Sequence, residues 1–215
     1  MTVITLSREL GSNGTTIARE VAATLGYRFV DKSTFERILQ QYGLVKFEDV
    51  YDSAPGFWAR FDKANLQIIS MLNKTILGIA RLGDVVILGR GGYAALRDYA
   101  DVLHVRIQAP FPIRVQRVMA DEGVGDVEEA QRIVSGNDKA RAMFVKGFYD
   151  ADFYTTSQFH LVLDTGVIPI ERATAWIAEA ARSLTERTPA DVLTTQSVDV
   201  DPILAGAIAA VLEEQ

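Results

Sequence analysis

Val3-Ile4-Thr5-Leu6-Ser7-Arg8-Glu9-Leu10-Gly11-Ser12-Asn13-Gly14-Thr15-Thr16, running into the helical stretch Ile17 to Leu25, decides the fold. An apolar run that breaks at glycines and restarts as a helix directs several backbone N–H groups into one small volume. The helix macrodipole adds partial positive charge there. Such a place suits a phosphate. It has the layout of a phosphate-binding loop without its lysine, since the full pattern G-x-x-x-x-G-K-[ST] sets a lysine on the β- and γ-phosphates and a hydroxyl on Mg²⁺. Thr15 and Thr16 supply hydroxyls after Gly14, and the nearest cation is Arg8, on the strand side of the turn. A glycine-rich strand-to-helix turn can equally be plain structure, so the remaining residues decide between the two.

With 215 residues, 48% of them hydrophobic, the chain can bury one good core and reads as a single domain with a small insertion. Its net charge of −6 provides no global positive field for nucleic acid or an anionic membrane, so an anionic ligand needs locally placed arginines. The absence of cysteine excludes disulfides, thiolate zinc sites and cysteine nucleophiles. The chain starts directly on a strand with no secretory leader pattern, and no apolar run approaches the roughly 20 residues of a membrane-spanning helix. A soluble cytoplasmic protein is expected. His104 and His160 are too isolated in sequence to suggest a zinc site and read as structural.

Short apolar runs alternate with long amphipathic stretches, the pattern of a parallel sheet covered by helices. Strands are predicted at Val3 to Leu6, Tyr27 to Val30, Val85 to Leu88, Val102 to Ile107 and Leu161 to Leu163. Helices are predicted at Thr15 to Leu25, Ser33 to Tyr42, Trp58 to Arg81, Pro112 to Ala120, Val127 to Val145 and Pro169 to Arg187. In the third, Phe61, Ala64, Ile68, Leu72, Ile76 and Ile79 recur at helical spacing and read as core. From Glu186 to Pro202 the chain turns polar, and Ile203 to Leu212 returns as an alanine-rich apolar helix, able to dock on its own domain or on a second subunit as a homodimer contact.

Four clusters fall near the carboxyl ends of predicted strands, where ligands of open parallel sheets bind. Asp31-Lys32, with Arg37 six residues after Asp31, could engage a base or ribose and a phosphate; Asp31 or Ser33 could equally cap the next helix. Gly89-Arg90-Gly91-Gly92 puts an always-charged guanidinium at the end of a buried strand, suited to an anion or to an internal carboxylate such as Asp31. Arg114, Arg117, Arg132, Asp138, Lys139, Arg141 and Lys146 lie on two helices joined by a turn with Gly123 and Gly125, which could close as a lid or simply face solvent. Leu163-Asp164-Thr165-Gly166 ends the last strand in a polar turn.

In this order and spacing, the clusters resemble the cytidylate kinase-like branch of the nucleoside monophosphate kinases. The similarity runs from Met1 to about Arg187. Ser7-Arg8-Glu9-Leu10-Gly11-Ser12-Asn13-Gly14 fits the branch's S-R-x-x-G-S-x-G, and Phe29-Val30-Asp31-Lys32 its Tyr/Phe-x-Asp-Lys element. Gly89-Arg90-Gly91 stands at its Gly-Arg-Asp, and Asp138 and Arg141 match its Asp-x-x-Arg pair. The chain departs from the branch in several places. Gly14 stands where a Walker lysine would, Thr15 where many members carry an arginine, Asn13 at a usual glycine and Gly91 at the aspartate.

The resemblance implies an α/β, three-layer P-loop kinase fold with a parallel five-stranded sheet. Residues 1–187 would form the kinase-like domain, with a helical NMP-binding insertion at about 32–82 and a lid at about 119–146; residues 188–215 would be linker and C-terminal helix. It implies ATP- and Mg²⁺-dependent phosphoryl transfer to CMP or dCMP. On that resemblance Gly11, Ser12, Asn13 and Gly14 cradle the ATP phosphates and Thr15 holds Mg²⁺, with Thr16 as the alternative. Thr165 lies near the ATP base. Asp31, Arg37, Arg90, Asp138 and Arg141 bind the monophosphate, Arg114 and Arg117 reach the transferring phosphate, and Lys32 or Arg8 replaces the lysine. The missing lysine also motivates a second expectation, a nucleotide-binding regulatory module with weak or no catalysis.

Overall fold

Five short apolar runs pair into one fully parallel sheet of order β2-β3-β1-β4-β5. The strands are β1 (Val3–Arg8), β2 (Arg28–Val30), β3 (Val85–Leu88), β4 (Val102–Gln108) and β5 (Leu161–Asp164). The computed structural model describes residues 1–43, 63–187 and 191–214, with residues 63–68 and 187 described by backbone alone. The helices are α1 (Gly14–Leu25), α2 (Lys32–Gln41), α3 (Lys63–Arg81), α4 (Gly92–Ala95), α5 (Phe111–Glu122), α6 (Val127–Tyr149), α7 (Ile170–Arg187) and α8 (Pro202–Glu213). Among the described residues, no helix is long and apolar enough to cross a membrane.

The period-two alternation of each strand splits the core in two. In β3, Val85 and Ile87 face α2, α3 and α8, whereas Val86 and Leu88 face α1 and α7. Of the stripe expected in α3, Leu72, Ile76 and Ile79 are buried under the sheet; Phe61, Ala64 and Ile68 lie outside the described side chains. Residues 44–62, the middle of the insertion expected at about 32–82, also lie outside the described residues. Helices α5 and α6 pair through a small core of their own, built from Val115, Val118, Ala130 and Val134.

The C-terminal segment docks on its own domain. Leu204, Ile208, Val211 and Leu212 of α8 join the core beneath α2 and α3, and Gly78 makes that approach possible, because a Cβ there would stand 2.7 Å from Ile208 Cδ1. Ahead of α8, the buried Asp101 carboxylate accepts from Thr195 N (2.8 Å) and Thr195 Oγ1 (2.6 Å), which pins the connection to the sheet.

On the inner face, register places Thr5 beside His104, and their Oγ1 and Nδ1 atoms share a 2.7 Å hydrogen bond. Burial first, and the neighbouring His160 second, push the His104 pKa down to about 4. Because the folded state holds the neutral ring, its contribution is fully present above the ordinary value near 6.5 and is withdrawn as pH falls from there to about 4. The loss is on the order of 3 kcal/mol. Thermal melts across that window should therefore show a steep fall that His104→Gln flattens; an equally steep fall in the variant would assign the acid sensitivity to the carboxylates.

Candidate active site

Neighbouring strands β1 and β3 send their chains to opposite faces of the sheet, β1 to α1 and β3 to α4, which opens a crevice at their carboxyl ends. The β1–α1 loop fills one side of it. Gly11 (φ 76°) and Asn13 (φ 60°) are left-handed, so the chain curls tightly before entering α1. Ser12 holds the curl from beneath, donating through Oγ to the carbonyls of Glu9 (2.8 Å) and Ile107 (3.3 Å). The first turn of α1 receives no side-chain cap from Asn13, so its leading N–H groups remain available to an external acceptor. Thr15 and Thr16 are exposed at the same end. This loop fits a polyphosphate.

Arg8 crosses from the end of β1 toward β3 over two glycines. A Cβ on Gly14 would stand 2.5 Å from Arg8 Cβ, and one on Gly89 would stand 2.1 Å from Arg8 Nη1. There it meets Arg90, buried and left-handed at the end of β3 (φ 56°), and Arg141 of α6. All three arginines line one narrow cavity with Ser7, Tyr93 and Phe153. Arg141 is oriented by donating through Nη1 to the carbonyl of Arg8 (3.0 Å).

Behind the loop lies a buried ion network. Glu9 Oε1 accepts from Arg106 Nη2 at 3.1 Å, and Oε2 lies 3.3 Å from Arg114 Nε and accepts from Ala109 N at 3.3 Å. Arg114 Nη1 donates to Asp138 Oδ2 at 2.7 Å, and Asp138 Oδ1 accepts from Leu10 N at 3.3 Å. Arg106 also donates to the Phe153 carbonyl and stacks on the Phe153 ring, 4.5 Å from its centroid. Two carboxylates and two guanidiniums thus tie β1, β4, α5 and α6 together directly under the loop. Arg117 completes the support, donating to the carbonyls of Gly11 (3.2 Å) and Thr165 (2.8 Å), while Thr165 Oγ1 donates to the Ser12 carbonyl (2.8 Å).

The residues expected from sequence therefore fall into three groups. Arg8, Gly11, Ser12, Asn13, Gly14, Thr15, Thr16, Arg90 and Arg141 gather at the loop and its cavity. Arg114, Arg117, Asp138 and Thr165 sit behind the loop, engaged with protein partners. Lys32 and Arg37 lie on α2 and Asp31 immediately before it. Asp31 caps that helix, accepting from Thr34 N at 3.2 Å, and lies 3.7 Å from Arg19. Lys32 is 3.6 Å from Glu36, and Arg37 donates to Glu214 at the end of α8.

A family model described as the cytidylate kinase-like family matches residues 3–167, more than half of the chain and all five strands. The chain belongs to that family. It is 30% identical over 177 residues to a cytidylate kinase of Pyrobaculum calidifontis, an alignment that covers 79% of this chain and 87% of the relative. Among solved structures, an uncharacterised protein from Eubacterium ventriosum shares 19% identity with a TM-score of 0.64, covering 85% of this chain and 99% of that one. A shikimate kinase from Bacteroides thetaiotaomicron shares 17% identity with a TM-score of 0.52, covering 84% and 98%. These likenesses show the shared architecture, an α/β P-loop kinase fold with a parallel five-stranded sheet.

Against that family background, sequence reasoning passed over Glu9, Arg106 and Tyr93. Arg106 carried a usable signal: it lies inside an otherwise apolar strand, two residues after His104 and so on the same face. A guanidinium in a buried strand requires a carboxylate partner. That partner, Glu9, is 97 positions away in sequence, a separation that residue patterns do not bridge.

Proposed function

We propose that this protein transfers the γ-phosphoryl group of Mg·ATP to a nucleoside monophosphate, CMP or dCMP. The observation that carries the reading is the convergence of Arg8, Arg90 and Arg141 at the ends of β1 and β3, beside the uncapped, glycine-built start of α1. An anionic donor and an anionic acceptor could meet there, and phosphoryl transfer needs chiefly positioning and charge neutralisation. The name borne by the Pyrobaculum relative supports the acceptor class.

On this reading the backbone of Gly11, Ser12, Asn13 and Gly14 holds the donor's phosphates, with Thr15 toward Mg²⁺. ATP supplies the phosphoryl group and Mg²⁺ offsets its charge. Arg90 and Arg141 orient the acceptor phosphate, with Asp31 and Arg37 toward the nucleoside side. Arg8 takes the place of the missing lysine in preference to Lys32, because it already lies against the loop at Gly14. Arg114, Arg117 and Asp138 act by holding the loop and α6 in register.

One observation favours a second reading, a nucleotide-binding module without turnover: neither lysine nor arginine occupies positions 14 to 16. A coupled ADP-release assay with Mg·ATP and CMP, dCMP, UMP, AMP or shikimate separates the two. Turnover is expected with CMP or dCMP, and Arg90→Ala should lower it by about 10²- to 10³-fold. Background rates with every acceptor, alongside calorimetric ATP binding, would establish the module instead.

A further inference from the structure

The end of β3 carries three successive left-handed residues, Gly89 (φ 75°), Arg90 (φ 56°) and Gly91 (φ 69°), which turn the chain sharply into α4. The turn brings Tyr93 to the wall of the cavity shared by Arg8, Arg90 and Arg141. Tyr93 is only 3% exposed, and its ring packs on Phe159 with centroids 4.6 Å apart. Its hydroxyl is buried and has no hydrogen-bond partner among the described residues. Burial pushes its pKa up to about 12, so the hydroxyl keeps its proton at neutral pH and is a donor. Folded proteins leave few polar groups in that condition, because an unpaired buried hydroxyl is costly until a partner arrives. A phenol in the wall of a cavity that three arginines also line matches a tetrahedral oxyanion, which offers acceptor oxygens in several directions at once.

We propose that Tyr93 is a ligand-binding residue, donating its hydroxyl to an oxygen of the acceptor's phosphate held by Arg90 and Arg141. The assignment rests on reading this cavity as the acceptor-phosphate subsite. It adds a neutral, directional contact to the charged ones. A phenol with no partner among the described residues distinguishes a phosphate that reaches the cavity wall from an anion merely attracted to its mouth.

Tyr93→Phe removes the hydroxyl and nothing else. Thermal melts without ligand, together with calorimetry using CMP, inorganic phosphate and ATP, test the proposal on the full chain. The expected result is a melting temperature within about 2 °C of the parent, since no hydrogen bond to a described residue is lost. CMP and phosphate affinity should fall by about tenfold or more, while ATP affinity stays within about twofold. Unchanged CMP and phosphate affinity in the variant would overturn the proposal. So would a fall of about 5 °C or more without ligand, which would reveal a partner inside the protein. If the parent binds inorganic phosphate but not CMP, and Tyr93→Phe weakens that binding, the Tyr93 assignment stands and the nucleotide acceptor fails. If the parent binds ATP but neither CMP nor phosphate, the subsite and Tyr93's part in it both fall.

Discussion

Glu9→Ala is expected to destabilise the protein by about 3–5 kcal/mol, the usual result of removing one partner from a buried charge pair. For a chain of this size that corresponds to a fall in melting temperature of roughly 6–20 °C. Glu9 answers two guanidiniums at once, Arg106 at 3.1 Å and Arg114 at 3.3 Å, and also accepts the Ala109 N–H. Its loss leaves Arg106, 2% exposed, without its carboxylate in the core. Glu9→Gln should fall between the parent and Glu9→Ala, because the amide can still accept from Ala109 N. Chemical denaturation of the three proteins checks this ranking. If Glu9→Ala unfolds with the parent's midpoint, the charge network contributes nothing and Arg106 must be solvated.

Gly11→Ala has the second large effect, and it acts on both stability and ligand binding. Gly11 is left-handed (φ 76°), and an added Cβ would stand 2.6 Å from the backbone oxygen of Arg114. A flexible side chain could swing aside, but a backbone carbonyl in the first turns of α5 cannot, so the loop itself must move. Gly26→Ala is the natural control: Gly26 is also left-handed (φ 69°), but nothing lies within 4 Å of its added Cβ. The control should show only the conformational penalty of about 1–2 kcal/mol. Gly11→Ala should exceed it and should also weaken ATP binding by about tenfold or more, since the displaced N–H groups no longer converge. Equal stability losses, with ATP affinity unchanged in both variants, would place the phosphates elsewhere.

The sheet was legible because strands buried on both faces read as unbroken runs of Val, Ile and Leu, and β3 was found residue for residue as Val85–Leu88. The loop was legible because glycines interrupt such a run just before a helix. Helix α4 was not, since four residues following three glycine or arginine positions display no period. The site was only partly legible. Residues next to one another in the chain, such as Gly89 and Arg90, could be placed at a strand end. The direction of Arg114 could not, because it depends on which face of α5 turns inward to meet Glu9 and Asp138. Arg37 shows the same limit, its contact Glu214 being 177 positions away.

The family-model match ends at residue 167, yet helices that cover the sheet lie beyond it. Helix α7 supplies Ala173, Ile177 and Ala181 to one face, and α8 supplies Leu204, Ile208, Val211 and Leu212 to the other. The family-model match and the folding unit therefore have different boundaries in this chain. The last forty-odd residues act as a clasp across both sides of the sheet, and a fusion or a truncation cut at the end of the family-model match would leave two greasy surfaces open to aggregation.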